Sequence, residues 1–106
     1  PSKVVLTGVA FDGRQVGSAS YDRSTDEISY ALSDTVDGYF HGTGDVFASA
    51  LLGAYMNGLS LAESARIAVD YTHGCIVRTK EADTDLRYGV DFEHGIPDLL
   101  RQTGII

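Results

Sequence analysis

The residues best suited to chemistry form one short run in the middle of the chain. Residues 41–45 read His-Gly-Thr-Gly-Asp, and an apolar, alanine-rich segment follows directly over residues 46–52. Glycines let backbone N–H groups approach a ligand closely, and the first turn of a helix carries unpaired N–H donors that favour anions. The Asp45 carboxylate is able to accept a proton from a hydroxyl group. The run therefore predicts a phosphate site beside a general base, which is what phosphoryl transfer to an alcohol requires.

Each of these residues also has a simpler interpretation. Asp45 alone is more typical of an N-cap or first-turn aspartate that only stabilises a helix, and it is the preceding Gly42-Thr43-Gly44 that favours the catalytic interpretation. Gly42, Thr43 and Gly44 would also suit a tight turn. In the phosphate interpretation they form an anion hole, the Thr43 hydroxyl adds a bond to the phosphates, and Gly44 uses its backbone freedom to approach the nucleotide. The chain contains no Walker loop, and Phe47 stands where a Rossmann fingerprint needs its third glycine.

The first third of the chain is predicted to form three strands. The apolar run Lys3–Gly8 is predicted to be a buried strand that ends at a glycine. Strands over 15–21 and 27–32 follow, joined by a polar hairpin loop over 22–26. Ligands of α/β sheets lie outside the carboxyl ends of strands, so Thr7 and Gly8 are candidate binding residues. The alternative is that they only end the strand.

The rest of the chain is predicted to be helical. Apolar spacing indicates a first helix over 45–57, with a C-terminal cap at Gly58. A second helix begins at a capping box of Ser60 and Glu63, and Gly74 is expected to weaken or kink it near its end. Residues 80–88 are predicted to be a surface loop, and a short last helix over 96–100 is closed by Gly104. Strands followed by helices indicate an α/β or α+β unit.

Composition limits the classes of function. The chain has 106 residues, 43% of them apolar, which is enough for one small domain spanning 1–106. A net charge of −7 argues against a nucleic-acid partner. The single cysteine, Cys75, excludes an internal disulfide and fits a reducing cytoplasm, and no apolar run has the length of a membrane span. The three histidines lack metal-ligand spacing, so no protein metal site is expected.

The central run also resembles a known signature. Gly42-Thr43-Gly44-Asp45, followed by the apolar residues 46–53, resembles the C-terminal signature of the ribokinase-like kinases, and within them most closely that of the pyridoxal/pyridoxine/pyridoxamine kinases. The sugar-kinase branch usually has alanine where this chain has Thr43. The hydroxymethylpyrimidine phosphate kinases usually have cysteine in place of Asp45. The resemblance implies that this chain is the C-terminal part of a three-layer α/β fold, a partial sheet with an antiparallel hairpin covered by helices.

The resemblance also implies roles for particular residues. Asp45 would be the catalytic base, and Gly42, Thr43 and Gly44 would form the anion hole. Thr7 and Gly8 would border the nucleotide phosphates. The adenine would lie against the second helix, where the corresponding residues are Ala68, Val69, Thr72 and His73.

The activity implied is ATP-dependent phosphorylation of the hydroxymethyl group of pyridoxal, pyridoxine or pyridoxamine, with Mg²⁺ bound mainly through the phosphates. The alternatives are a hydroxymethylpyrimidine kinase of thiamin synthesis and a nucleotide-binding fragment without chemistry. The resemblance implies a cytoplasmic, homodimeric parent enzyme whose remaining N-terminal part holds most of the acceptor site. The 106 residues alone are expected to be inactive.

Overall fold

The strands form one antiparallel sheet. The computed structural model describes residues 2–36, 42–82 and 91–104. Strands β1 (Lys3–Val9), β2 (Gln15–Asp22) and β3 (Glu27–Asp34) lie in the order β1-β2-β3. All three predicted strands are present, and each ends one or two residues later than predicted. Helices cover one face of this sheet, which confirms the predicted α/β class.

The prediction that β1 is buried is wrong for the described residues. Val4 and Leu6 are 44% and 62% exposed, whereas Val5, on the other side of the strand, packs partly against the core. The reason is topological, because β1 is an edge strand and the helices cover only one face of the sheet. A run of apolar residues predicts a strand buried on both faces, and here only one face is covered.

The second face of the sheet is therefore an apolar surface. Val4, Leu6, Ile28 and Tyr30 are all exposed, and the strand register brings Val4 into line with Ile28 and Leu6 into line with Tyr30 across β2. We call these four residues the open sheet face. The Phe11 ring packs edge-on against Tyr30, with ring centroids 5.3 Å apart, and extends the same apolar surface.

The helices begin and end where local sequence signals allow. Helix α1 spans Thr43–Met56, so it starts two residues before the predicted position. Helix α2 spans Leu61–Glu81, and the Ser60 side chain accepts a hydrogen bond from the Glu63 N–H at 3.1 Å, as the capping box predicts. Gly58 has a φ of +91°, which confirms the left-handed cap between the two helices.

Helix α2 is longer than predicted at its C-terminal end. It continues without a break through Gly74 and takes in Lys80 and Glu81, which the sequence assigned to a loop. Arg78 and Lys80 lie in its last turn, where positive charge is favourable. Ala82 is the C-cap of α2, and residues 83–88 of the predicted loop lie outside the described residues.

A short helical segment packs against the end of α2. A 3₁₀ turn (Glu93–Gly95) leads into α3 (Ile96–Gln102), which extends the predicted 96–100 helix by two residues. Three side chains of α2 fix the start of this segment: Tyr71 and Arg78 donate to the carbonyls of Phe92 and Asp91, and the Thr79 hydroxyl accepts from the Asp91 N–H at 2.7 Å.

The core lies between the helices and the covered sheet face. It consists mainly of small residues, which allow α1 and α2 to approach closely: Ala31, Phe47, Ala50, Ala65, Ala68 and Val69. Among the described residues, no helix combines the length and the apolar character needed to cross a bilayer.

Candidate functional site

The ends of several elements share a cavity of about 410 Å³. It lies where the end of β1, the end of β3, the first turn of α1 and the middle of α2 meet. Its lining residues are Thr7, Gly8, Val16, Gly17, Ser33, Asp34, Thr35, Val36, Thr43, Gly44, Phe47, Val69, Thr72, His73 and Ile76. A cavity of this size suits a small-molecule ligand.

The first turn of α1 gives this cavity its donors. Gly42 is the N-cap, none of the described side chains caps the helix, and the first helical hydrogen bond runs from the Val46 N–H to the Gly42 carbonyl at 3.0 Å. The N–H groups of Thr43, Gly44 and Asp45 therefore have no acceptor within the helix. Together with the helix dipole, they make the N-terminus of α1 suitable for an anion.

Gly42 and Gly44 have different structural roles. Gly42 has a φ of +83°, a conformation that favours glycine, so this residue sets the direction in which the chain enters α1. Gly44, which we expected to need unusual backbone freedom, is an ordinary helical residue. A Cβ atom built on Gly44 would meet no atom within 4 Å. The fold thus leaves open space at Gly44, on the wall of the cavity.

A β-bulge brings the end of β1 to the cavity. Thr7 pairs with Ser18 and Val9 pairs with Gly17, so Gly8 is an extra residue between two pairs. Its φ of +71° is the left-handed conformation that such a bulge requires. The bulge places Thr7 and Gly8 in the same wall as the first turn of α1.

Helix α2 supplies a largely apolar wall. Val69, Thr72, His73 and Ile76 line the cavity at helical spacing. Ala68, which the resemblance placed on the adenine side, is instead fully buried in the core. The Thr72 hydroxyl oxygen is inaccessible and has no hydrogen-bond partner among the described residues.

Asp45 lies beside the cavity and does not line it. It is the third residue of α1, its side chain makes no cap hydrogen bond, and it is exposed. It is not an N-cap, because Gly42 holds that position. In a helix, consecutive residues differ by about 100° in direction, so the Asp45 side chain points away from the side of α1 that Gly44 presents to the cavity.

The structure thus brings together seven of the ten candidate residues named from the sequence: Thr7, Gly8, Thr43, Gly44, Val69, Thr72 and His73. Gly42 and Asp45 flank the cavity without lining it. Sequence reasoning missed the contributions of Val16, Gly17 and 33–36, because they depend on the strand register. A hydrogen bond of 2.9 Å from the Thr35 N–H to the Arg14 carbonyl holds this last segment in place. His41 lies outside the described residues.

Solved structures of kinases share this fold. Pyridoxal kinase from Lactobacillus plantarum matches with a TM-score of 0.83 and 26% identity, over 93% of this chain and 35% of its own. A putative phosphomethylpyrimidine kinase from Bacteroides thetaiotaomicron matches in its rhombohedral form with a TM-score of 0.87 and 25% identity, over 93% of this chain and 34% of its own. An orthorhombic form of the latter, with pyridoxal, has a TM-score of 0.83, 25% identity and coverages of 93% and 35%.

No protein-family model matches the chain, and no curated protein sequence does either. The structural likeness is nevertheless extensive, since it includes nearly the whole chain and only about one third of each kinase. That proportion is consistent with the C-terminal portion that the sequence indicates. The chain therefore resembles, in both its Gly-Thr-Gly-Asp signature and its fold, one portion of a ribokinase-like kinase of the pyridoxal and phosphomethylpyrimidine kinase type.

Proposed function

We propose that this chain is the nucleotide-binding unit of a longer kinase that transfers a phosphoryl group from ATP to the hydroxymethyl group of a B6 vitamer. The observation that carries the proposal is the cavity. It combines the unpaired N–H groups at the start of α1 with the bulge at Thr7 and Gly8 and with the apolar wall of α2. The N–H donors on one side match the phosphates of a nucleotide, and the apolar surface on the other side matches its base.

In this proposal the phosphates bind at the first turn of α1. The N–H groups of Thr43 and Gly44 donate to phosphate oxygens, and the Thr43 hydroxyl adds a further donor. These donors are fixed by the helix, so they need no reorganisation as charge develops on the transferred group. The base lies against Val69, Thr72 and Ile76. His73 offers polar atoms at its edge.

Mg²⁺ is compatible with the same cavity. The described lining contains one carboxylate, Asp34, at the end of β3. Magnesium in nucleotide sites is held mostly by phosphate oxygens and water with one or two carboxylates, so this donor set fits it. The ion would neutralise part of the negative charge on the phosphates, which a chain of net charge −7 cannot do by itself.

Asp45 is the proposed general base. It follows Gly44 directly, but it lies on the exposed side of α1. An acceptor alcohol that approaches from this side would meet the terminal phosphate at the helix N-terminus, with the carboxylate placed to take its proton. Nucleotide and acceptor would thus reach the start of α1 from different sides.

A second candidate acceptor is hydroxymethylpyrimidine or its phosphate. A putative phosphomethylpyrimidine kinase is among the similar structures, and one of its crystal forms was obtained with pyridoxal. Asp45, where those kinases usually have cysteine, favours the B6 vitamer. The third hypothesis is that the chain only binds a nucleotide, in which case Asp45 has no catalytic role.

The test is a comparison of acceptors in the complete polypeptide that contains these residues. We expect the specificity constant for pyridoxal to exceed that for hydroxymethylpyrimidine. An Asp45→Asn variant should bind ATP normally while its turnover falls by roughly two to four orders of magnitude. A reversed preference would favour the pyrimidine, and near-normal turnover of Asp45→Asn, with chemistry limiting the rate, would remove Asp45 from the mechanism. Absence of phosphorylation of either ring would refute the proposed activity.

A further inference from the structure

Helix α2 passes through a glycine in the middle of the wall that it gives to the cavity. Gly74 lies between His73 and Ile76, which both line the cavity, and the helix continues to Glu81 without a break. Glycine is less favourable than alanine in a helix interior, because its backbone loses more conformational freedom. The wall therefore contains the position of lowest helix propensity in α2.

Side chains on both sides of Gly74 bind the same short stretch of backbone. We call Tyr71, Arg78 and Thr79 the α2 clamp. Tyr71 and Arg78 donate hydrogen bonds to the carbonyls of residues 92 and 91, at 2.5 and 3.3 Å, and the Thr79 hydroxyl accepts from the N–H of residue 91 at 2.7 Å. Tyr71 precedes the glycine by about one turn and Arg78 follows it by about one turn. The clamp thus ties α2 to one segment before and after its weakest position.

The α2 clamp is closely packed. A Cβ atom built on Gly95 would overlap Nη2 of Arg78 and would lie 2.8 Å from Cε1 of Tyr71. The same Nη2 donates to the Cys75 Sγ at 3.2 Å, and Cys75 and Thr79 are 0% and 1% exposed. A glycine at position 95 therefore allows the segment after α2 to approach the helix closely.

We infer that the α2 clamp holds α2 straight across Gly74 and so keeps the apolar wall of the cavity in its binding shape. That the wall receives a nucleotide base rests on the proposed function. The clamp residues do not line the cavity, since they lie on average about a third of a turn around α2 from the wall residues. They are positioning residues. Without them α2 bends at Gly74, and apparent affinity falls in proportion to the fraction of molecules that keep the binding shape.

Amide hydrogen exchange in the complete kinase polypeptide tests the clamp without any ligand. Arg78→Ala removes the bond to residue 91, and Gly95→Ala disturbs the same contact from the other partner. Arg101→Ala is the matched control, because Arg101 pairs with Asp98 within α3. We expect exchange at residues 74–78 to be at least about tenfold faster in the first two variants and unchanged in the control. Unchanged exchange in both Arg78→Ala and Gly95→Ala would overturn the inference.

ATP binding separates a positioning role from a general effect on stability. The Kd for ATP should rise roughly three- to tenfold in Arg78→Ala, whereas kcat at saturating ATP and the KM for the acceptor should not change. Faster exchange at residues 74–78 with normal ATP affinity would overturn the positioning role.

A rescue experiment identifies Gly74 as the position that the clamp supports. With Arg78 present, a Cβ atom on Gly74 would lie 3.3 Å from Nη1 of Arg78, and Arg78→Ala removes this contact. Adding Gly74→Ala to Arg78→Ala should therefore restore slow exchange and ATP affinity. Adding Gly53→Ala instead is the control, because it favours helix α1, which the clamp does not touch.

Equal restoration of ATP affinity by Gly53→Ala and Gly74→Ala would overturn the inference, since the clamp would then contribute only overall stability. Failure of Gly74→Ala to restore slow exchange would overturn it as well. A polypeptide that binds no ATP, but in which Arg78→Ala speeds the exchange and Gly74→Ala slows it again, would refute the proposed function and support the clamp.

Discussion

Replacement of Gly44 by alanine separates the roles of this residue in folding and in binding. A methyl group at Gly44 would meet no protein atom within 4 Å, and the residue is helical. The change should therefore not lower stability, because alanine is favoured over glycine in helices by about 0.5–1 kcal/mol. The same methyl group would stand on the cavity wall, where the phosphates are proposed to contact the backbone.

The size of the binding loss follows from the bonds at risk. A hydrogen bond to a charged group contributes roughly 1.5–3 kcal/mol, so losing one would weaken ATP binding about ten- to one-hundred-fold. Gly53→Ala is the control. Gly53 lies within α1, is exposed and also has open space around its Cβ position, but it is remote from the cavity. The Gly53→Ala variant should be more stable than the parent protein and should bind ATP with the same affinity.

The assay is thermal melting and calorimetric ATP titration of both variants in the complete kinase. The expected pattern is an unchanged or higher Tm for both variants and weaker ATP binding for Gly44→Ala alone. Normal ATP affinity in Gly44→Ala would refute the phosphate site at the start of α1. A fall in Tm with normal affinity would show that Gly44 only shapes the turn.

Three further predictions concern stability and titration. Gly17→Ala should cost about 1–3 kcal/mol or more in denaturant unfolding, because its Cβ atom would overlap the Ala31 carbonyl oxygen. Near-native stability would contradict the close approach of the two strands at this position. A hydrogen bond from His94 lowers the pKa of Asp91. The pair therefore stabilises the fold at pH values above the ordinary carboxyl pKa, and this stabilisation is lost as the pH falls through the lowered pKa of Asp91. A carboxyl NMR titration should show the Asp91 midpoint rising in His94→Ala. Burial raises the pKa of Tyr71 to about 12 from 10.0. The neutral phenol therefore contributes fully to the stability of the fold below pH 10, and this contribution is lost between pH 10 and 12. Tyr71→Phe should lose less stability across that interval, and identical stability profiles of the two proteins at alkaline pH would contradict the raised pKa of Tyr71.

Features encoded by neighbouring residues could be predicted from the sequence. The Ser60 and Glu63 cap, the left-handed Gly58 and the start of α3 each depend on a few consecutive residues, and each is present. The run proposed to bind phosphate could be singled out for the same reason, since a helix N-terminus and the glycines before it are contiguous. The start of α1 was misplaced by two residues because Thr43 and Gly44 are weak helix formers that nevertheless occupy its first turn.

Features that depend on distant residues could not be predicted. Val4 and Leu6 predict a buried strand, but their burial depends on what covers the second face of the sheet. Gly17 contributes to the cavity through its position in the register and through its close approach to the backbone at Ala31, which no local pattern reveals. The sequence prediction began α1 at Asp45, so it did not show that Asp45 is the third residue of the helix and is exposed.

The most direct test of this account is a crystal structure of the complete kinase with a non-hydrolysable ATP analogue and Mg²⁺. The account predicts phosphate oxygens within about 3 Å of the backbone nitrogens of Thr43 and Gly44, and the adenine against Val69 and Ile76. Phosphates bound elsewhere, with the first turn of α1 facing only solvent, would contradict it.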